Sequence, residues 1–175
     1  MKNLFILTLF CLIFIYSCKK DDKVNTPKQP ISVAKISGVS QKGPFVNGSS
    51  LTVYELDGYF YQTGISFNTQ MLDNLGSFEL YNMNLLTPYS KLKAEGFYFN
   101  EVLNTNSNSP ISLYALAELS NASTVNVNML STLEVSRVEY LLSQGITFNN
   151  AKHQAQQEIL NIFFINKPTI AESEL

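Results

Sequence analysis

The hydrophobic pattern of this chain changes period once, near residue 128, and that change limits its folds more than any other feature. From about residue 33 onward, short β-branched and aromatic runs alternate with turn residues. The segments 35–40, 51–56, 59–63, 66–69, 77–80, 89–94, 98–102 and 111–119 read as strands. Asp57-Gly58 is a hairpin signal, and Gly43-Pro44 and Asn47-Gly48 punctuate other turns. Short strands with closely spaced turns predict a sandwich or barrel over residues 33–127.

Past Val125-Asn126-Val127-Asn128 the spacing becomes helical. Leu130, Leu133, Val138 and Leu141 fall on one side of a helix, with Tyr140 at its edge. Gly145 stands where a left-handed C-cap is expected, and Thr147 offers the next N-cap. Ala151, Ala155, Ile159, Ile162 and Phe163 form the stripe of a second helix. Leu160 and Phe164 lie off that stripe and predict a second buried face. The expected fold is mainly β with a C-terminal helical hairpin over residues 128–165, α+β overall. Residues 166–175 read as a polar tail, and the chain is expected to be the front part of a longer protein or a truncated copy.

Within the β region, four motifs follow in order: Gly38-Val39; Gly43-Pro44-Phe45-Val46-Asn47-Gly48-Ser49 running into Leu51-Thr52-Val53-Tyr54; Asp73-Asn74-Leu75-Gly76-Ser77-Phe78; and Ala94-Glu95-Gly96-Phe97. The series resembles a carboxypeptidase-regulatory-like domain over residues 35–102. The resemblance implies a transthyretin-like β-sandwich that stabilises or binds and carries no catalytic residues. Gly76 and Gly96 are expected where the backbone needs positive φ or close packing, and Phe78 and Phe97 as plugs of the sandwich. With the Cys18 segment Ile15-Tyr16-Ser17-Cys18 as an anchor, then the sandwich, then Val125-Asn126-Val127-Asn128 and a helix pair capped at Gly145, the order is also similar to that of uncharacterised bacterial lipoproteins.

The N-terminus supplies an address. Lys2 precedes an apolar run over residues 4–16, the right length for a signal-peptide core and short for a membrane span. The run closes on Ile15-Tyr16-Ser17-Cys18, which resembles the bacterial lipobox, with Tyr16 at its tolerant position. The resemblance implies a signal peptide over residues 1–17, lipidation of the Cys18 thiol, and cleavage that makes Cys18 the new N-terminus. Cys11 leaves with the signal peptide, so the mature chain forms no internal disulfide. Lys19-Lys20-Asp21-Asp22-Lys23 is similar to the export signal of Gram-negative surface lipoproteins. Residues 18–32, with Pro27 and Pro30, read as a flexible tether between the lipid and the domain.

Composition narrows the chemistry. Charged residues are only 15%, and 12 Lys+Arg against 14 Asp+Glu give a net charge of -2, which argues against nucleic-acid binding. His153 is the one histidine; Asn149 and Gln157 stand four residues either side of it, so no metal site is expected. The Gly-x-Ser-x-Gly signature and a glycine-rich phosphate loop are both missing from the sequence. Asp57, Asp73, Glu79, Glu95 and Glu101 are expected at turns or on outward strand faces, as solvated groups. No catalytic residue, cofactor or metal is assigned.

The expectation is a lipid-anchored binding or adhesion module of the outer membrane, on the cell surface of a Gram-negative bacterium. Its partners are the membrane, through the N-terminal lipid, and a glycan or protein ligand. The polar loop over residues 104–110 can present hydrogen-bonding groups to glycans, although loops of this composition are more often plain solvated turns. The alternatives are a periplasm-facing structural subunit of an envelope complex, or the accessory domain of a longer enzyme.

Overall fold

The computed structural model describes residues 29–166. The signal segment, Cys18, the charged cluster after it and residues 167–175 lie outside the described residues. The strands are β1 (Ile31–Gln41), β2 (Ser50–Leu56), β3 (Gln62–Gln70), β4 (Ser77–Leu85), β5 (Tyr89–Gly96), β6 (Phe99–Asn100), β7 (Thr105–Asn106), β8 (Ile111–Glu118) and β9 (Val127–Asn128). Two helices follow, α1 (Met129–Ser143) and α2 (Phe148–Ile162). The fold is mainly β with a C-terminal helix pair, an α+β sandwich-like arrangement.

One sheet has the order β4-β1-β9, the other β3-β2-β5-β8; β6 and β7 form a separate small ribbon. The larger sheet alternates in and out, as a period of two demands. Cross-strand neighbours on its inner face form layers of mixed size. Leu51 opposes Ala94, which opposes Leu113; Val53 opposes Leu92, which opposes Ala115. The smaller sheet closes this core with Ile36, Phe78, Met83 and Leu85, all buried. A third layer of the inner face breaks the apolar pattern, because Glu55 opposes Ser90 and Ser90 opposes Ala117.

The helices cover the outer face of the larger sheet. Leu56 and Leu116 pack there against Val135, Val138, Leu141, Phe148, Ala151 and Ala155. The start of α1 is fixed by a capping box: the Asn128 side chain accepts from Ser131 N–H, and the Ser131 hydroxyl accepts from Asn128 N–H. The same turn bonds to β8. Tyr114 N–H donates to the Thr132 hydroxyl at 2.8 Å, and the Ser131 hydroxyl donates to Tyr114 C=O at 2.9 Å. Such contacts blunt a sheet edge that would otherwise offer free backbone groups. At the other end of α1, Gly145 (φ +81°) lets Ile146 N–H reach Leu141 C=O and Gly145 N–H reach Leu142 C=O. That is the Schellman arrangement, at the glycine the sequence designates.

The structure departs from several expectations. β1 begins at Ile31, ahead of residue 33, because Ile31 to Val33 pair with Leu85 to Met83. The segments 59–63 and 66–69 are not two strands; β3 runs continuously from Gln62, and residues 57–61 form a loop. The segment 98–102 yields only the two residues of β6. Phe97 is 44% exposed and plugs nothing, since Gly96 ends β5 and the chain turns outward; Phe45, fully buried, fills the core there. Gly76 is at φ +76°, and a Cβ on it would lie 2.3 Å from the Ser40 carbonyl oxygen. On the helices, Leu133, Ile162 and Phe163 are exposed, whereas Glu134, Val135, Lys152 and Gln156 are buried. The buried faces run through polar residues that a count of apolar spacing passes over. Leu160 is buried as expected for a second face, and Phe164 is exposed.

Candidate functional site

Strand register defines two ends of the sandwich. Ile31 opposes Leu85, Glu55 opposes Ser90, and Tyr89 opposes Glu118, so these residues share the near end, where the described chain begins. The loops over residues 42–49, 71–76 and 97–110 gather at the far end.

At the near end the 57–61 loop presents aromatic side chains on a braced backbone. One Asp57 carboxylate oxygen accepts from Tyr59 N–H at 2.8 Å and from Tyr61 N–H at 3.0 Å. Asp57 N–H donates to Tyr61 C=O, and Phe60 N–H donates to Asp57 C=O. Phe60 takes φ +66°, a left-handed conformation that costs a non-glycine residue about 1–2 kcal/mol. The cost is offset by its ring, whose centroid lies 4.9 Å from that of Tyr89 and 5.8 Å from that of Phe148. With Phe60 turned inward, Tyr59 and Tyr61 are 83% and 73% exposed.

A cleft of about 620 Å³ lies between this loop and the end of α1, lined by Tyr59, Phe60, Tyr61, Glu139, Leu142 and Ser143. A smaller cavity of about 190 Å³ adjoins it, shares Phe60, Tyr61, Glu139 and Leu142, and adds Gln62 and Lys91. Lys91 pairs with Glu139 at 3.0 Å, both lining the smaller cavity.

At the far end the loops are tied together. Asn47 N–H donates to the Asn74 side chain at 3.0 Å, the Asn47 amide to Leu72 C=O at 3.1 Å, and Val46 N–H to Phe97 C=O at 3.0 Å. Leu72, Leu75, Phe97, Val102 and Leu103 are exposed there, Val102 at 93%. The Asn100 side chain accepts from Val102 and Leu103 N–H and so fixes the turn that displays them.

The carboxylates singled out by sequence occupy separate turns and strands. Asp57 braces its loop. Asp73 accepts from Leu75 and Ser77 N–H, and the Ser77 backbone bond above all holds its carboxyl below the usual range. Glu79 is lowered chiefly by the hydrogen bond from Lys35 and next by the Tyr81 hydroxyl. Glu95 pairs with Lys93, and Glu101 is exposed. His153 is exposed on α2. Among the described residues no three His, Cys, Asp or Glu side chains gather as metal ligands, and no helix is long and apolar enough to cross a membrane.

Among the described residues, three buried ionisable side chains carry no signal of their own in the sequence. Lys152 of α2 and Glu134 of α1 form an ion pair with side chains only 5% and 1% exposed. Glu55 is fully buried; one of its oxygens accepts from Leu86 N–H, and the other has no hydrogen-bond partner among the described residues. Lys152 and Glu134 fall on stripe positions of their helices and Glu55 on the inward phase of β2, so only the register of the assembled elements reveals them. Compared with protein-family models, with curated proteins and with solved structures, the chain matches none.

Proposed function

We propose that this chain is a lipid-anchored binding or adhesion module on the outer surface of a Gram-negative outer membrane, with a transthyretin-like sandwich and no catalysis of its own. The observation that carries the reading is the far end. Exposed aliphatic side chains on cross-tied loops, Val102 and Leu103 foremost, suit contact with a protein partner. They lie opposite the end through which a tether from Cys18 joins β1, so an anchored domain turns them away from its membrane. The lipobox-like Ile15-Tyr16-Ser17-Cys18 and the Lys19-to-Asp22 cluster support the anchor and the outward face.

The test is protease accessibility on intact cells, with Cys18→Ala and a neutralised Lys19-to-Asp22 cluster in parallel. Digestion of the wild type and protection of the cluster variant are expected. Protection of the wild type, or continued lipid labelling of Cys18→Ala, refutes the reading. A second reading, a periplasm-facing structural subunit, draws on Ile162, Phe163 and Phe164, which stand exposed at the end of α2. Protection of the wild type selects it.

A further inference from the structure

We infer that the cleft between the 57–61 loop and α1 is a carbohydrate-binding site that takes a neutral oligosaccharide of pyranose rings. This site lies at the opposite end from the proposed protein-binding loops, and its assignment stands whichever way the protein faces. Four observations converge on it.

First, Tyr59 and Tyr61 are held out by a backbone that Asp57 braces and Phe60 pins into the aromatic cluster. The packing of Phe60 offsets the strain of the turn, and the two rings left outside it are ordered before a ligand arrives, as a stacking platform needs. Second, the cleft of about 620 Å³ falls in the range of small-molecule sites, and the neighbouring cavity of about 190 Å³ shares Phe60, Tyr61, Glu139 and Leu142 with it. Together they give room for more than one sugar ring.

Third, the polar groups suit hydroxyls. The Lys91 ammonium donates, the Glu139 carboxylate accepts, the Gln62 amide does both, and the Ser143 hydroxyl, which donates to Tyr140 C=O, accepts. A sugar hydroxyl pairs with either kind. Fourth, Lys91 and Glu139 neutralise one another at 3.0 Å, so the cleft offers no net charge to a phosphate or a carboxylate. Apolar ring faces beside a compensated polar floor match the two-faced chemistry of a pyranose, whose axial C–H groups lie on an aromatic ring while its rim hydroxyls bond. A lipid surface also welcomes tyrosine, but a concave floor with an ion pair disfavours acyl chains.

The experiment titrates the full chain, purified in a detergent without sugar headgroups, with cellohexaose, xylohexaose, mannohexaose, maltohexaose and N-acetylchitohexaose by calorimetry. At least one sugar binds. Tyr59→Ala and Tyr61→Ala each weaken that binding about tenfold, Tyr59→Phe and Tyr61→Phe change it by less than about threefold, and Tyr81→Ala on the other sheet leaves it unchanged. Unaltered thermal unfolding of the alanine variants shows that the fold is intact. No binding of any of the five sugars, or binding indifferent to both alanine variants, overturns the assignment. A second arm uses the absence of tryptophan, which leaves the tyrosines as the emitters. Vesicles of brominated phosphatidylcholine quench wild type and the Tyr59→Ala/Tyr61→Ala double variant alike if the cleft takes sugar. Quenching confined to the wild type gives these rings to the membrane instead and also overturns the assignment.

Discussion

The sandwich core and the seam between the two helices are specified by different means. The core is apolar and fitted. Its layers alternate large and small side chains, and glycines stand where no Cβ can enter: one added to Gly38 would lie 1.9 Å from the Val125 carbonyl oxygen. The seam is specified by charge. Glu134 and Lys152 meet there almost wholly buried, while Arg137 grips Glu158 in a two-point contact at 2.6 and 2.8 Å nearer the surface. Apolar packing tolerates exchange of shape; a buried ion pair tolerates one register, because any slip leaves an uncompensated charge. The sandwich therefore derives its stability from fit, and the hairpin its alignment from electrostatics.

The difference can be broken most forcefully at Gly38. Gly38→Ala drives a Cβ into backbone, and its urea midpoint should fall by the equivalent of about 4 kcal/mol or more. At the seam, Lys152→Met strands Glu134 and should cost about 3–5 kcal/mol, whereas Glu134→Leu with Lys152→Met should recover most of that loss. Recovery sharpens the contrast; a double variant as unstable as the single one would mean that the seam is fitted like the core. Where the regions join, Asn128→Ala removes the capping box of α1 and should cost about 1 kcal/mol, read in the same denaturation series.

The smallest effect is at Glu158. The hydrogen bond from Arg137, then that from Gln154, holds its carboxyl below the ordinary value. A lowered folded-state value means that the contribution is present above the unfolded pKa, about 4.3, and fades as pH falls through the folded one. Wild type should exceed Glu158→Gln by about 1–2 °C in Tm at pH 7, and the two should converge in acid, below the folded value.

Much of the architecture was legible because its rules are local. The alternation through Leu51 and Val53, the left-handed Gly145 and Gly76, and the change of period at Asn128 all follow from one or two residues at a time. The errors over the helices have one cause: exposure is decided by what covers a residue. Ile162 and Phe163 continue the α2 stripe past Ile159, the last buried residue on it. Lys152 and Glu134 occupy buried positions that a charge-averse reading assigns to water. The candidate cleft was hidden most thoroughly, since Tyr59-Phe60-Tyr61 looks like alternating strand. Only the Asp57 brace and the Phe60–Phe148 contact, 88 residues apart in number, turn it into a display loop. The polar loop over residues 104–110 lies at the other end of the sandwich.

The pairing of β1 has a mechanical meaning. Ile31 begins the described strand order and is also the first rung of an antiparallel ladder that reaches Val39↔Ser77. Tension applied through the chain ahead of Ile31 runs along β1, so the rungs share the load in shear and do not peel apart one by one. A tug of that kind strains the whole ladder before the domain yields.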